Sequence, residues 1–233
     1  MNVLIVFAHN EPQSFNAAMK NLAVEELQAQ GHAVTVSDLY AMDWNPVASA
    51  ADFQQRQQTD YLVYALEQRH ADKNGTLAPD IKAELEKVMW ADLVILHFPV
   101  YWFSMPAILK GWIDRVLVSG TCYGGMRFYD RGGLSGKRAM LTCTLGGQQH
   151  MVVADGVHGE LDAMFKPILR GTLAYVGLSV LPTFVGYHVP YISQEARTAC
   201  LLDYRRHLQA LHSMPAIAPP SLDEFDATLH RLR

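Results

Sequence analysis

Short apolar runs alternate along the chain with longer stretches in which apolar residues recur at helical spacing. Asn2–Phe7 (NVLIVF) is apolar and rich in β-branched residues, the pattern of a strand buried on both faces. A polar loop, His9-Asn10-Glu11-Pro12-Gln13-Ser14, follows it. Ser14 has the chemistry of a helix N-cap, and Phe15, Met19, Leu22, Ala23 and Leu27 then fall on one helical face. Gly31 stands where a left-handed residue closes such a helix. Residues 33–39 read as a second strand. Strand, helix, strand is the opening unit of a parallel sheet.

The pattern then loosens. Residues 45–74 are rich in Gln, Ala and polar side chains, and predict an excursion with one amphipathic helical piece at 61–67. Pro79 starts a helix with Ile81, Leu85, Val88 and Met89 inward. Residues 92–97 form a third predicted strand. Pro106 starts a helix carrying Leu109, Trp112, Ile113, Val116 and Leu117. A fourth strand is predicted at 138–144, a mostly helical stretch at 161–176, a fifth strand at 178–185 and a last helix at 194–212. From about residue 213, Pro215, Pro219 and Pro220 predict an extended tail. Five strands alternating with helices predict a doubly wound five-stranded parallel α/β sheet with helices on both faces. No interior linker breaks the pattern, so one domain is expected over residues 1–233.

Composition narrows the partners. Hydrophobic residues make up 50% and charged residues 18% of the 233, which excludes a disordered chain. The net charge of -4 offers no basic excess to nucleic acid. Cys122, Cys143 and Cys200 form no C-x-x-C pair, and with no signal-peptide pattern they point to a reducing cytoplasm. The apolar stretch 93–113 is interrupted by Pro99 and Pro106, so it reads as strand, loop and helix start rather than a membrane span.

Ligands of open α/β sheets bind at the carboxyl ends of the strands. Three loops are predicted there. The first holds His9 and Ser14; it lacks both G-x-G-x-x-G and the P-loop pattern. The free N–H groups behind Ser14 fit an anion site, and equally a simple capped helix. The second is Phe98-Pro99-Val100-Tyr101-Trp102-Phe103. Its aromatics suit the wall of a flat conjugated ring; taken alone, they are expected to fold back onto the core. The third is Thr144-Leu145-Gly146-Gly147, whose glycines allow close backbone approach or make an ordinary turn. Together the three favour a ligand with a phosphate end and a planar ring, such as a flavin nucleotide. His158 follows near the same edge as a candidate proton donor. No metal is expected: His150 and His158 lack ligand partners at the usual spacing, and no H-E-x-x-H occurs. Gly132-Gly133-Leu134-Ser135-Gly136 does not match G-x-S-x-G, which disfavours a serine hydrolase.

These pieces, in this order, resemble the NAD(P)H:quinone oxidoreductases of the DT-diaphorase type, within the flavodoxin-like NAD(P)H dehydrogenases. The resemblance rests on Ala8-His9 with Ser14-Phe15-Asn16, on Ser37-Asp38-Leu39-Tyr40-Ala41-Met42 and on Ala91-Asp92-Leu93-Val94. It continues through Pro106-Ala107-Ile108-Leu109-Lys110-Gly111-Trp112, Tyr129-Asp130, Gly146-Gly147 and Gly156-Val157-His158-Gly159, and spans residues 1–211. It implies a homodimer that binds FAD, with FMN the lesser alternative. The flavin site would be lined by His9, Phe15, Asn16, Pro99, Val100, Trp102, Phe103, Thr144, Gly146 and Gly147, with Arg197 toward the adenine end. His158 would be catalytic, and Tyr123 and Phe128 would wall the pocket from the second subunit. The implied reaction is ping-pong hydride transfer from NAD(P)H through flavin to a quinone-like acceptor.

The chain departs from that family at several points. Leu145 replaces a threonine, Val152 the tyrosine that partners the histidine, Gly125 a pocket aromatic and Ala174 a zinc-binding histidine of one branch. Residues 54–75 differ in length, and the tail is shorter than the family's C-terminal extension. A different class competes with the enzyme: a flavin-binding regulatory subunit of an ion-efflux or other redox-responsive system. His158 and the aromatic loop favour the enzyme. A one-electron flavodoxin carrier is weaker still, since such carriers are usually smaller and more acidic.

Overall fold

The computed structural model describes residues 1–232. Its sheet follows from the apolar runs. β1 (Asn2–Phe7) pairs in parallel with β2 (Ala33–Asp38) on one side and with β3 (Leu93–Pro99) on the other. β3 pairs with β4 (Arg138–Leu145) and β4 with β5 (Ser179–Val180), giving the order β2-β1-β3-β4-β5. Alternate residues of β1 and β3 enter two different cores, which is why both strands read as continuous apolar runs. On one face Val3, Ile5, Leu93 and Ile95 meet Met19, Ala23 and Leu27 of α1 (Phe15–Ala29) and Tyr204 and Leu208 of α6 (Gln194–Gln209). On the other, Leu4, Val6, Val94 and Leu96 meet Ile81 and Val88 of α3 (Pro79–Trp90), Trp112 and Val116 of α4 (Ala107–Val116), and Phe165 of α5 (Leu161–Ile168). The arrangement is a parallel sheet with helices on both sides, as expected.

Three elements differ from expectation. The fifth strand is two short pieces, β5 (Ser179–Val180) and β6 (Phe184–Tyr187), both paired with β4. Pro182 lies between them and has no N–H for the ladder. The stretch expected to be helical at 161–176 widens after Ile168 into a π-helical turn, Leu169–Ala174. Pro167 there removes an α-helical donor and crowds the preceding turn. The helical piece expected at 61–67 is α2 (Tyr64–Asn74), closed by Gly75 at φ +69°. It is polar, with Glu67 and Gln68 buried, so apolar periodicity could not mark its length. The Glu67 carboxylate instead accepts the Gln57 and Gln58 N–H groups, both at 2.8 Å.

The tail is docked on the sheet edge. Ile217 and Val180 exchange two backbone hydrogen bonds of 2.8 and 2.9 Å, and Leu222 is buried. Among the described residues, no helix is long and apolar enough to cross a membrane.

Candidate active site

A cleft of about 460 Å³ opens at the C-terminal ends of β1, β3 and β4; four other cavities measure about 360 Å³ or less. Its volume falls within the range of small-molecule sites. His9, Ser14, Phe15, Asn16, Pro99, Val100, Thr144, Gly146 and Arg197 all line it, so the topology gathers nine expected residues from distant parts of the chain.

The chain leaves β1 at Phe7 and must cap α1. Ser14 Oγ accepts the Ala17 N–H at 3.0 Å, and the Ser14 carbonyl accepts the Ala18 N–H at 3.0 Å. The N–H groups of Phe15 and Asn16 have no acceptor among the described residues. Free donors at the positive end of a helix make an anion site. His9 Nδ1 accepts the Glu11 N–H at 2.9 Å, which leaves Nε2 as the donor of a neutral ring. Burial lowers the His9 pKa below the ordinary value and outweighs the opposing Glu11 charge.

Asn16 ties α1 to β4: its Nδ2 donates to Thr144 Oγ1 at 3.0 Å. Its Oδ1 is buried without a donor. Arg197, on the first turns of α6, donates from one Nη to the Val189 carbonyl at 3.3 Å, while its Nε is buried without an acceptor. Unmatched buried polar atoms are uncommon, and these two belong to residues that line one cleft. Both fit a flavin nucleotide: donors at α1 for phosphate, Arg197 for an anionic or aromatic far end, and a slot between them. His97, on β3 near the Asn16 backbone, is fully buried, and neither ring nitrogen has a hydrogen bond of ordinary geometry. Burial, helped by the charge of Lys20, lowers its pKa to about 3.

The aromatic loop corrects an expectation. Tyr101 and Ser104 exchange two backbone hydrogen bonds of 3.0 Å, so Trp102 and Phe103 form the tip of a two-residue hairpin. Both tip residues are left-handed, at φ +51° and +54°, where Asn-Gly is favoured. Bulky residues held there cost about 1–3 kcal/mol each. Trp102 is 98% exposed rather than folded onto the core, because the turn aims it away. Phe103 packs on His158 with ring centroids 5.1 Å apart. His158 is exposed, and its backbone N–H donates to the Met151 carbonyl at 2.9 Å. Gly156 permits that loop, since a Cβ there would meet the Met151 carbonyl carbon at 2.7 Å. Val152 is buried and offers no donor.

Trp102, Phe103, Gly147 and His158 stand outside the enclosed lining. His188 engages both glycine carbonyls: its N–H donates to Gly147 O and its Nδ1 bonds Gly146 O, each at 2.9 Å. Tyr123 and Phe128 are not brought to the cleft of their own chain. They lie on the segment that enters β4 at Arg138, whereas the cleft lies at its exit near Thr144, roughly 20 Å along a strand. There both rings pack on Tyr175, at 5.7 and 5.5 Å. Gln13, Tyr101 and Leu145, from the three expected loops, complete the cleft with Val189 and Pro190, which were not anticipated. Val189 and Pro190 follow the last strand piece, so the strand-end rule applied to that loop finds them.

A parallel sheet in the order β2-β1-β3-β4-β5, with a helix start whose first N–H groups are free after its first strand, defines a flavodoxin-like protein. The model of the flavodoxin-like fold matches residues 1–208. Mouse ribosyldihydronicotinamide dehydrogenase [quinone] is 44% identical over 210 residues, covering 90% of this chain and 91% of the relative. Rat NAD(P)H dehydrogenase [quinone] 1 is 42% identical, covering 96% and 82%. A solved structure of a provisionally assigned quinone reductase from Klebsiella pneumoniae superposes with a TM-score of 0.90 at 38% identity, covering 99% of this chain and 90% of that one. The chain belongs to the flavodoxin-like family, in the branch of the NAD(P)H:quinone oxidoreductases.

Proposed function

We propose that the protein is a flavin-dependent NAD(P)H:quinone oxidoreductase that works as a homodimer. The observation that carries this reading is the cleft itself, which gathers nine of the expected residues from the ends of β1, β3 and β4 and from α6. A bound flavin would supply the acceptance of hydride from a reduced nicotinamide and its delivery to a quinone. Phe15 and Asn16 N–H groups and Ser14 hold its phosphate. Val100 and the Gly146 backbone orient its ring within the cleft, Trp102, Phe103 and Gly147 flank it from outside, and Thr144 fixes Asn16 against it. His158, packed on Phe103 at the rim, would offer a ring N–H where negative charge develops. Val152 cannot share that task. Phe103 limits the motion of the imidazole and excludes water from one of its faces.

The cofactor is FAD rather than FMN. The cleft runs past the α1 anion site to Val189, Pro190 and Arg197, which gives an adenine half a place. A general stress protein of Treponema denticola, 25% identical with a TM-score of 0.64, was solved in complex with FMN, so the shared fold admits either. Tyr123 and Phe128 meet a flavin only across an interface between copies, which supports the dimer. Reduced nicotinamide and three free cysteines suit a reducing cytoplasm. The relatives above carry dehydrogenase and reductase names, which favours catalysis over the regulatory-subunit reading. The test is to denature the purified yellow protein, identify the released flavin by chromatography, and follow reduction by NADH or NADPH and reoxidation by a quinone in stopped flow. Stoichiometric FMN alone overturns the FAD assignment; flavin that no reduced nicotinamide reduces overturns the enzyme.

A further inference from the structure

The segment bearing Tyr123 and Phe128 is held from two sides. From within, Tyr175 packs on both rings and its carbonyl accepts the Tyr129 N–H at 2.8 Å. Tyr129 itself is left-handed, at φ +51°, a conformation a bulky residue keeps only when its surroundings impose it. From outside comes the tail, ninety residues further along the chain. The Asp130 carboxylate accepts the Leu222 N–H at 3.1 Å on one oxygen and the Ser221 hydroxyl at 3.2 Å on the other. Arg131 pairs with Asp223 at 2.7 Å. Leu222 is buried, and Pro219-Pro220 stiffens the link back to Ile217, which is hydrogen-bonded to the sheet edge at Val180.

We propose that the C-terminal tail braces the acceptor-pocket wall, and that Asp130 is the positioning residue through which it acts. The inference rests on the proposed dimer, in which Phe128 and Tyr123 face the flavin of the other copy. Phe128 is two residues from Asp130, so a carboxylate fixed by two donors fixes the backbone that aims the ring. The clasp is specific to its chemistry. A carboxylate accepts both an amide and a hydroxyl; an alanine accepts neither; an asparagine accepts the amide through Oδ1 and donates to the hydroxyl oxygen through Nδ2. Losing two hydrogen bonds to a charged acceptor at a half-exposed site is worth about a tenfold change in an equilibrium that depends on the wall.

The experiment uses the flavin-loaded protein and 2-methyl-1,4-naphthoquinone as acceptor. The parent is checked first: a monomer overturns both the proposed function and the brace, whereas a flavin-loaded dimer without quinone turnover overturns the proposed function alone. Asp130→Ala should then speed amide hydrogen exchange across 127–131 and raise KM for the naphthoquinone about tenfold, with kcat and flavin content within twofold of the parent. Asp130→Asn should restore both. Ser221→Ala combined with Asp223→Ala loosens the tail without touching the loop, and should shift exchange and KM in the same direction; it serves also if the Asp130→Ala protein does not fold. Faster exchange with unchanged KM, or unchanged exchange, overturns the proposal.

Discussion

The two ends of the sheet are built on opposite terms. At the N-terminal ends of the strands, polar groups close on one another. Lys137 Nζ donates to the Met89 and Ala91 carbonyls at 2.7 and 2.6 Å, where α3 ends. The Asn2 N–H donates to Asp92 at 2.7 Å, and Arg138 donates to the Leu211 carbonyl at 3.0 Å. At the C-terminal ends, Asn16 Oδ1, Arg197 Nε and both nitrogens of His97 lack partners, and two bulky residues sit left-handed at Trp102 and Phe103. The first end is nearly closed, with His32 Nε2 unmatched and Tyr129 left-handed. The other keeps unmatched groups and strain, which is where a functional site departs from consistent folding rules.

The largest effect expected is on chemistry at the open end. His158→Ala should slow flavin reduction in single turnover by roughly 10²-fold, the low end for a general acid–base group, because the flavin supplies much of the driving force. His158→Gln should recover part of the rate, since its amide still offers an N–H. Flavin content is measured alongside, to separate chemistry from binding. Both variants reducing flavin at the parent rate would leave the open end without a proton donor at this position.

The next effect is on stability, again at the open end. His97 stays neutral in the folded protein down to about pH 3, held so mainly by burial. In the unfolded chain its pKa is near 6.5. Below pH 6.5 the unfolded state therefore binds more protons, and stability falls as pH falls, levelling off near pH 3. The loss is about 1.4 kcal/mol per pH unit, or about 2 kcal/mol by pH 5. His97→Met removes this contribution, so urea midpoints of the variant should fall less steeply between pH 7 and pH 5 than those of the parent. Parallel slopes would mean that His97 already binds a proton in the fold.

The contrast between the ends also explains how much could be read in advance. β1, β3 and β4 were legible because burial on both faces leaves unbroken apolar runs. The cleft was legible because strand ends fix where loops converge, and because the Ser14 cap and Gly146-Gly147 are local signals. α2 was not, since its hold comes from Glu67 on the backbone of Gln57 and Gln58 and from Asp52, which pairs with Arg115 at 2.9 Å. Residue type predicts burial for Trp102, but the hairpin between Tyr101 and Ser104 decides otherwise. The Asp130–Leu222 clasp joins residues that no pattern along the chain connects.

The smallest effect sets the two ends directly against each other. Lys137→Met at the closed end removes two charge-assisted hydrogen bonds from the C-terminal carbonyls of α3. Hydrogen bonds to charged groups are worth about 1.5–3 kcal/mol when buried, and Lys137 is half-exposed, so a loss of about 1–2 kcal/mol is expected. Flavin affinity should not change. Arg197→Met at the open end should do the reverse. It removes a guanidinium whose Nε has no acceptor and whose one hydrogen bond is long, at 3.3 Å, so the flavin-free protein should unfold within about 0.5 kcal/mol of the parent. Its flavin dissociation constant should rise about tenfold, as for a lost charge-assisted contact. Stability must be measured on the flavin-free forms, because bound ligand stabilises by mass action and would mix the two quantities. If Arg197→Met destabilises the apoprotein as much as Lys137→Met does, Arg197 braces α6 and the open end is not reserved for a ligand at that residue.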